Sequence, residues 1–282
     1  RQSKRAYFKK LKAERRINMF AEIINKVRLD CPLVHCITNY VTVNDCANVL
    51  LACGASPVMA DDEREAEEIV SISSALVINI GTLNSRTIPS MFKAGRRANE
   101  LGRPVILDPV GAGASSLRTA TAMDLIREID FAVIRGNISE ITAIAGRESK
   151  TRGVDASDPE LLDGDLPADV ISLILKLREK TGAVITVTGP KDIVAGEKDL
   201  CIVRNGHPMM SKVSGTGCML SVITGAFCGA APSDIAVAAA SAAGMFGVAG
   251  EFAFERLNSE GGGTSTYRSY IIDEVSKMTP EK

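Results

Sequence analysis

Leu76-Val77-Ile78, at the centre of Ala75–Ile80, is an unbroken apolar run set between Ser73-Ser74 and Gly81. A strand with one wet face alternates apolar and polar residues; a continuous run belongs to a strand covered on both faces, the habit of parallel sheets. Runs of similar character recur at Leu33–Ile37, Val105–Leu107, Phe131–Ile134 and Ala183–Thr188. Helical patterns fall between them, at Asn44–Ala52, Asp62–Ser71, Arg86–Leu101, Leu117–Ile129, Glu140–Ala145 and Val170–Lys180. This alternation predicts an α/β fold, a central and mostly parallel sheet with helices on both faces.

After Gly189 the spacing tightens. Asp192–Ala195, Leu200–Arg204 and Pro208–Val213 read as antiparallel strands on one edge, with turn signals at Ala195-Gly196 and Asn205-Gly206. Helical patterns at Met219–Ala230 and Ile235–Ala249 close the chain. Residues 18–282 read as one domain, and Arg147–Leu166, rich in Asp, Gly and Ser, as a loop or flap within it.

The bulk composition narrows the function classes. With 282 residues, 45% hydrophobic and 24% charged, the chain can bury a sizeable core. A net charge of -1 and only 4% aromatics give no field or stacking platform for nucleic acid, so no nucleic-acid partner is expected. No apolar run approaches the ~18 residues of a bilayer span, so no membrane partner is expected either. Seven cysteines without a Cys-x-x-Cys pair, and two histidines, indicate neither a disulfide framework nor a zinc site. Reduced thiols and a cytoplasmic location fit this usage. Residues 1–17 carry eight Lys or Arg against Glu14 alone and have no secretory apolar core. They read as a basic extension that is vector-derived, a solvated helix or an organelle presequence.

In open parallel sheets, ligands gather beyond the carboxyl ends of the strands. Asp108, directly after Val105-Ile106-Leu107, either caps the next turn or binds a cation through hard oxygens. Asn137 and Glu140 fit a helix capping box. Alternatively, Arg135 clamps a phosphate with its planar fork while Glu140 anchors hydrated Mg²⁺. Thr188 either bonds a phosphate or ends its strand. In Lys212-Val213-Ser214-Gly215-Thr216-Gly217-Cys218, two glycines precede a helix whose first N–H groups need partners. Such a turn serves packing alone or favours an anion, with Cys218 beside it. Gly111-Ala112-Gly113-Ala114 lacks the third glycine of a dinucleotide fingerprint, and no P-loop is present. Together these residues match phosphoryl transfer without a P-loop, which needs a cation, donors and alignment more than covalent help.

Longer motifs resemble the hydroxyethylthiazole kinase family. They are Pro32-Leu33-Val34-His35-Cys36-Ile37-Thr38-Asn39-Tyr40-Val41, Gly54-Ala55-Ser56-Pro57-Val58-Met59-Ala60 and Asn79-Ile80-Gly81-Thr82-Leu83. Further matches are Asp108-Pro109-Val110-Gly111-Ala112-Gly113, Ile134-Arg135-Gly136-Asn137 with Glu140, Asn205-Gly206-His207-Pro208, and Ser214–Cys218. The resemblance runs from about residue 18 to about 275 and implies a ribokinase-like fold. It further implies ATP- and Mg²⁺-dependent phosphorylation of the primary hydroxyl of 4-methyl-5-(2-hydroxyethyl)thiazole, for thiamine salvage. A homotrimer with sites between neighbouring subunits is implied as well. By position, Met59, Asn39 and Gly215 correspond to substrate-binding residues, and Arg135, Thr188 and Asn137 to the ATP side. Asp108 and Glu140 fall to the metal, and Gly215, Thr216 and Gly217 to the anion hole. Cys218 stands where many superfamily relatives carry an aspartate base.

A free thiol, with a pKa of about 8.5, is only a few per cent ionised at neutral pH. Cys218 is therefore expected to assist deprotonation without being essential. The family's Gly-Pro-Gly-Ser-Phe appears here as Gly263-Thr264-Ser265-Thr266-Tyr267, so no binding role is carried onto it. Rival readings keep the fold and change the alcohol, substitute a nucleotide-dependent dehydratase, or leave a non-catalytic binding protein. Met59 argues against the first and Cys218 against the second; the intact set of Asp108, Arg135 and Glu140 argues against the third.

Overall fold

The computed structural model describes residues 19–146, 168–197 and 200–282. The basic extension 1–17 and the Asp-rich loop 147–166 both lie outside the described residues. Eight strands form one sheet: β1 Leu33–Ile37, β2 Ser56–Val58, β3 Ala75–Asn79, β4 Val105–Asp108, β5 Val133–Asn137, β6 Val184–Thr188, β7 Asp192–Ala195 and β8 Leu200–Val203. Their order is β2-β1-β3-β4-β5-β6-β7-β8. Pairing is parallel from β2 to β6 and antiparallel from β6 to β8. The chain steps outward from β1 to β2 and then back across to β3, so the order reverses between β1 and β3. A crevice opens at such a reversal.

Alternate residues of the central strands feed two separate cores. Val34, Cys36, Val77, Ile106, Val133 and Val184 join one layer, with residues from the helices Val43–Cys53, Thr216–Ala230, Ile235–Glu260 and Thr264–Ser276. Leu76, Ile78, Val105, Leu107, Ile134 and Ile185 join the other, under Ala66–Ile72, Thr87–Glu100, Ser116–Glu128, Ile138–Ile144 and Ala168–Thr181. All five residues of β3 are buried, Ala75–Ile78 through their apolar character and Asn79 with its amide fully hydrogen-bonded.

Two expectations need correction, and one strand was not expected. Pro208–Lys212 is a 3₁₀ helix rather than a strand. Pro208 has no N–H for a ladder, and the His207 ring accepts the Met209 N–H, which turns the chain inward. Ser56–Val58, too short to show a period, forms the edge strand β2. The helix expected to end at Ala249 runs on to Glu260. At 26 residues it is long and apolar enough to cross a membrane by length and composition, although most of its apolar stretch is buried in the fold. Its Ala, Gly and Ser residues pack closely without forming the continuous large-apolar run that a reader of the sequence looks for.

Candidate functional site

The carboxyl ends of β1, β3, β4 and β5 meet the start of the helix Thr216–Ala230. Gly215 caps that helix with φ 91 and ψ 0. Only glycine holds this left-handed conformation easily, and a Cβ there would also strike the Thr42 methyl. The cap has no side chain to accept the first N–H groups, which leaves them for a ligand. Gly217 has a packing reason too: a Cβ on it would stand 2.8 Å from Arg135 Nη1. The turn and the guanidinium are thus pressed together.

Cys218, in the first helical turn, is buried. Its sulfur accepts from Asn39 Nδ2 at 3.2 Å and from Asn79 Nδ2 at 3.3 Å. Burial pushes the Cys218 thiol up, and the charge of Asp108 adds to the rise. Hydrogen bonds from Thr42, Asn39 and Asn79 act the other way. Burial wins, so the sulfur rests as a thiol at neutral pH.

Asp108 and Asn79 are register partners on β4 and β3, which puts their side chains together at the sheet's end. Asp108 Oδ2 accepts from Asn79 Nδ2 and from Ser221 Oγ, both at 2.8 Å, and lies 3.7 Å from Arg135 Nη1. Burial pushes this carboxyl up to about 6, with Arg135 opposing the rise and Glu140 adding to it. Asp108 Oδ1 and Arg135 Nε are buried without a hydrogen-bond partner among the described residues. Buried polar atoms of folded proteins are normally paired, so each unfilled one in a crevice is a place for a ligand.

Arg135 Nη2 donates to Thr188 Oγ1 at 2.7 Å. The pairing β5–β6 sets Asn137 opposite Thr188, so Arg135 reaches diagonally across one face. Asn137 caps the helix Ile138–Ile144: its side chain accepts from Glu140 N, and Glu140 Oε2 accepts from Asn137 N at 2.8 Å. Glu140 Oε1 accepts from Gly111 N at 2.9 Å. The capping-box reading therefore holds, and the same carboxylate ties β5 to the loop after β4.

Met59 stands apart from this network. It follows the edge strand β2, half-buried against the first core layer. Its backbone neighbour is held firmly: Ala60 O accepts from His35 Nε2 at 2.7 Å, which requires the proton on Nε2. Burial lowers the His35 pKa, so the ring is neutral.

Three members of the cluster escaped sequence reasoning in their roles. Asn79 lay inside a run read as strand, Ser221 inside a run read as helix, and Thr42 between motifs. No local spacing marks them, because each matters through partners distant in sequence, 29 residues away for Asn79 and Asp108 and 113 for Ser221 and Asp108, or through the fold of the turn.

Among the described residues, no group of three or more His, Cys, Asp or Glu forms a metal site. Mg²⁺, however, takes one or two carboxylates and completes its shell with phosphate and water oxygens. The unpartnered Asp108 Oδ1 and the rim carboxylate of Glu140 fit that demand.

Residues 24–281 match the model of the hydroxyethylthiazole kinase family. The chain belongs to that family. A hydroxyethylthiazole kinase of Desulfovibrio desulfuricans is 51% identical over 269 residues, covering 93% of this chain and 94% of that protein. One from Clostridium acetobutylicum is 54% identical over 265 residues, covering 94% and 96%. A solved hydroxyethylthiazole kinase from Pyrococcus horikoshii OT3 superposes with a TM-score of 0.81 at 37% identity, covering 93% of this chain and 94% of the other. A ribokinase-like superfamily protein from Enterococcus faecalis gives 0.57 at 13% identity over 88% and 87%, a likeness of fold alone. The fold is ribokinase-like, and the family is one of phosphotransferases.

Proposed function

We propose that this family member transfers the terminal phosphoryl group of ATP to the primary hydroxyl of 4-methyl-5-(2-hydroxyethyl)thiazole. The product would feed thiamine phosphate synthesis by salvage. The observation that carries this reading is the placement of Cys218 at the start of the Gly215-capped helix, beside Asp108 and Arg135. Phosphoryl transfer needs an aligned acceptor, donors for developing charge and screening of the phosphates.

Each need has a candidate in this chain. N–H groups of Thr216, Gly217 and Cys218 would receive the transferring phosphoryl oxygens. Arg135 and Thr188 would hold the nucleotide's phosphates, with Asn137 at the outer rim. Asn39 and Met59 would place the thiazole so that its hydroxyl faces Cys218. Asp108 and Glu140 would hold Mg²⁺, which when bound screens the phosphate charge. Cys218 is a thiol at rest, so only its small thiolate fraction would accept the hydroxyl proton, and it would assist the transfer without being essential. The half-buried Met59, just after the edge strand β2, supports a thiazole site shared with a neighbouring subunit of a homotrimer. The buried thiols Cys36, Cys46, Cys53, Cys218 and Cys228 suit a reducing cytoplasm.

The test follows ADP release with Mg²⁺ and ATP, with and without the thiazole, while mass spectrometry follows the thiazole. Thiazole-dependent ADP release with one phosphate added supports the reading; ADP release without a phosphorylated thiazole rejects it. Light scattering on the eluting protein checks the trimer, and a monomer that is fully active would reject the shared site.

A further inference from the structure

One residue is bonded to both the sulfur and the buried carboxylate. Asn79 Nδ2 donates to Asp108 Oδ2 at 2.8 Å and to Cys218 Sγ at 3.3 Å. Its Oδ1 accepts from Asn39 Nδ2 at 3.0 Å and from Gly81 N at 2.9 Å. A carboxamide has two donor hydrogens and two acceptor lone pairs, and all four are engaged. The orientation of the amide is fixed by its partners: a backbone N–H only donates and a carboxylate only accepts. Asn79 is 2% exposed, so nothing of it remains for a substrate.

The consequences reach both partners. With Asn79 and Ser221 both on Oδ2, the Asp108 carboxylate is turned so that Oδ1 is its open oxygen. With Asn79 and Asn39 both on Sγ, the sulfur is gripped by two amides that are themselves bonded to each other. Asn39 is anchored in turn, its Oδ1 accepting from Val41 N, Thr42 N and Thr42 Oγ1, each at 3.1 Å. The frame therefore runs from the loop after β1, through β3, to β4 and the helix start.

We propose that Asn79 is a positioning residue for the phosphoryl transfer, holding the Cys218 sulfur and the Asp108 carboxylate at one fixed spacing. It rests on the kinase reading above and acts through its two partners. Misplacement of reacting groups by ~1 Å lowers rates by about 100-fold. An effect of that kind falls on turnover and leaves substrate binding nearly untouched.

The experiment is a double-mutant cycle of N79A and C218A, with kcat and KM for both substrates and a thermal melt for each protein. N79A should lower kcat about 30-fold with each KM changed less than about threefold. In the double variant, the loss should be smaller than the product of the two single losses, because a grip on the sulfur is worth nothing once the sulfur is gone. N79T, which suits a strand and keeps one hydroxyl donor, should recover part of kcat; it also replaces N79A in the cycle if N79A does not fold. Wild-type kcat in N79A, strictly multiplicative losses, or kcat and KM moving together would overturn the proposal. The wild type is assayed first: absence of thiazole phosphorylation sinks the kinase reading, whereas an active wild type with an indifferent Asn79 sinks only this role.

Discussion

Two carboxylates of the site are treated in opposite ways. Asp108 ends a central strand, is fully buried, and leaves Oδ1 without a partner. Glu140 sits in the first turn of a helix at the rim, with each oxygen accepting a backbone N–H. An ionised group in an apolar setting is unfavourable unless fully bonded, which is why burial pushes Asp108 up to about 6. Glu140 stabilises the fold through the bonds it makes, while Asp108 weakens it through the bond it lacks. The difference separates a carboxylate with an oxygen left open from one whose oxygens both build the scaffold.

The sharpest way to break this contrast is D108N. Activity should fall by at least about 100-fold, as expected when a preorganised electrostatic group is removed, while thermal stability at neutral pH stays level or rises. The pH dependence gives the sign. A carboxyl whose folded pKa is about 6 against an ordinary 3.8 binds its proton more tightly when folded. Its contribution to stability is therefore most favourable below 3.8 and is lost as pH rises through about 6. Melts of wild type and D108N should diverge across that window, by on the order of 3 kcal/mol from the shift alone. A D108N protein less stable than wild type at pH 7 would break the contrast.

E140A should behave differently, losing activity by about tenfold and stability by about 1 kcal/mol together, because it removes half of a capping box. A smaller effect belongs to the sulfur. C218A should reduce kcat only a few-fold, since a thiol raised by burial contributes little ionised base. C218D should keep or increase turnover. Complete loss in C218A with both substrates still bound would make the thiol indispensable.

The smallest effect is that of His35, buried like Asp108 and with Nδ1 unpartnered among the described residues. Its pKa is lowered from 6.5, so stability present above that value is lost as pH falls below it. H35Q keeps a donor for Ala60 O and should flatten that acidic slope, with KM for the thiazole moving less than about threefold. Unchanged slopes in wild type and H35Q would remove His35 from the comparison.

Much of the sheet was legible: Leu33–Ile37 from its largely apolar run and Asp192–Ala195 from the turn signal that follows it, both read with their observed limits. The Asn137–Glu140 box was legible because capping is local. The motifs gave the family. The bonds that complete the site were not legible, since Asn79, Ser221 and Cys218 meet only when β3 and the helix Thr216–Ala230 are brought together. Pro208–Val213 was misread as a strand from its close spacing after the Asn205-Gly206 turn signal, whereas the His207 cap and Pro208 wind Pro208–Lys212 into a 3₁₀ helix.

One close contact sets how finely the site can be aligned. A Cβ on Gly225 would stand 2.5 Å from Val77 Cγ2, so the helix touches the sheet there nearly backbone to side chain. From that fulcrum, seven residues of helix reach back to Cys218, an arm of roughly 10 Å. Two residues of strand lead from Val77 to Asn79, an arm of roughly 7 Å. A helix rocking by about 10° on this pivot would carry the sulfur by roughly 2 Å on its arm. The amides of Asn39 and Asn79 act as the stop on that lever, so the position of the sulfur is calibrated by a glycine two helical turns away.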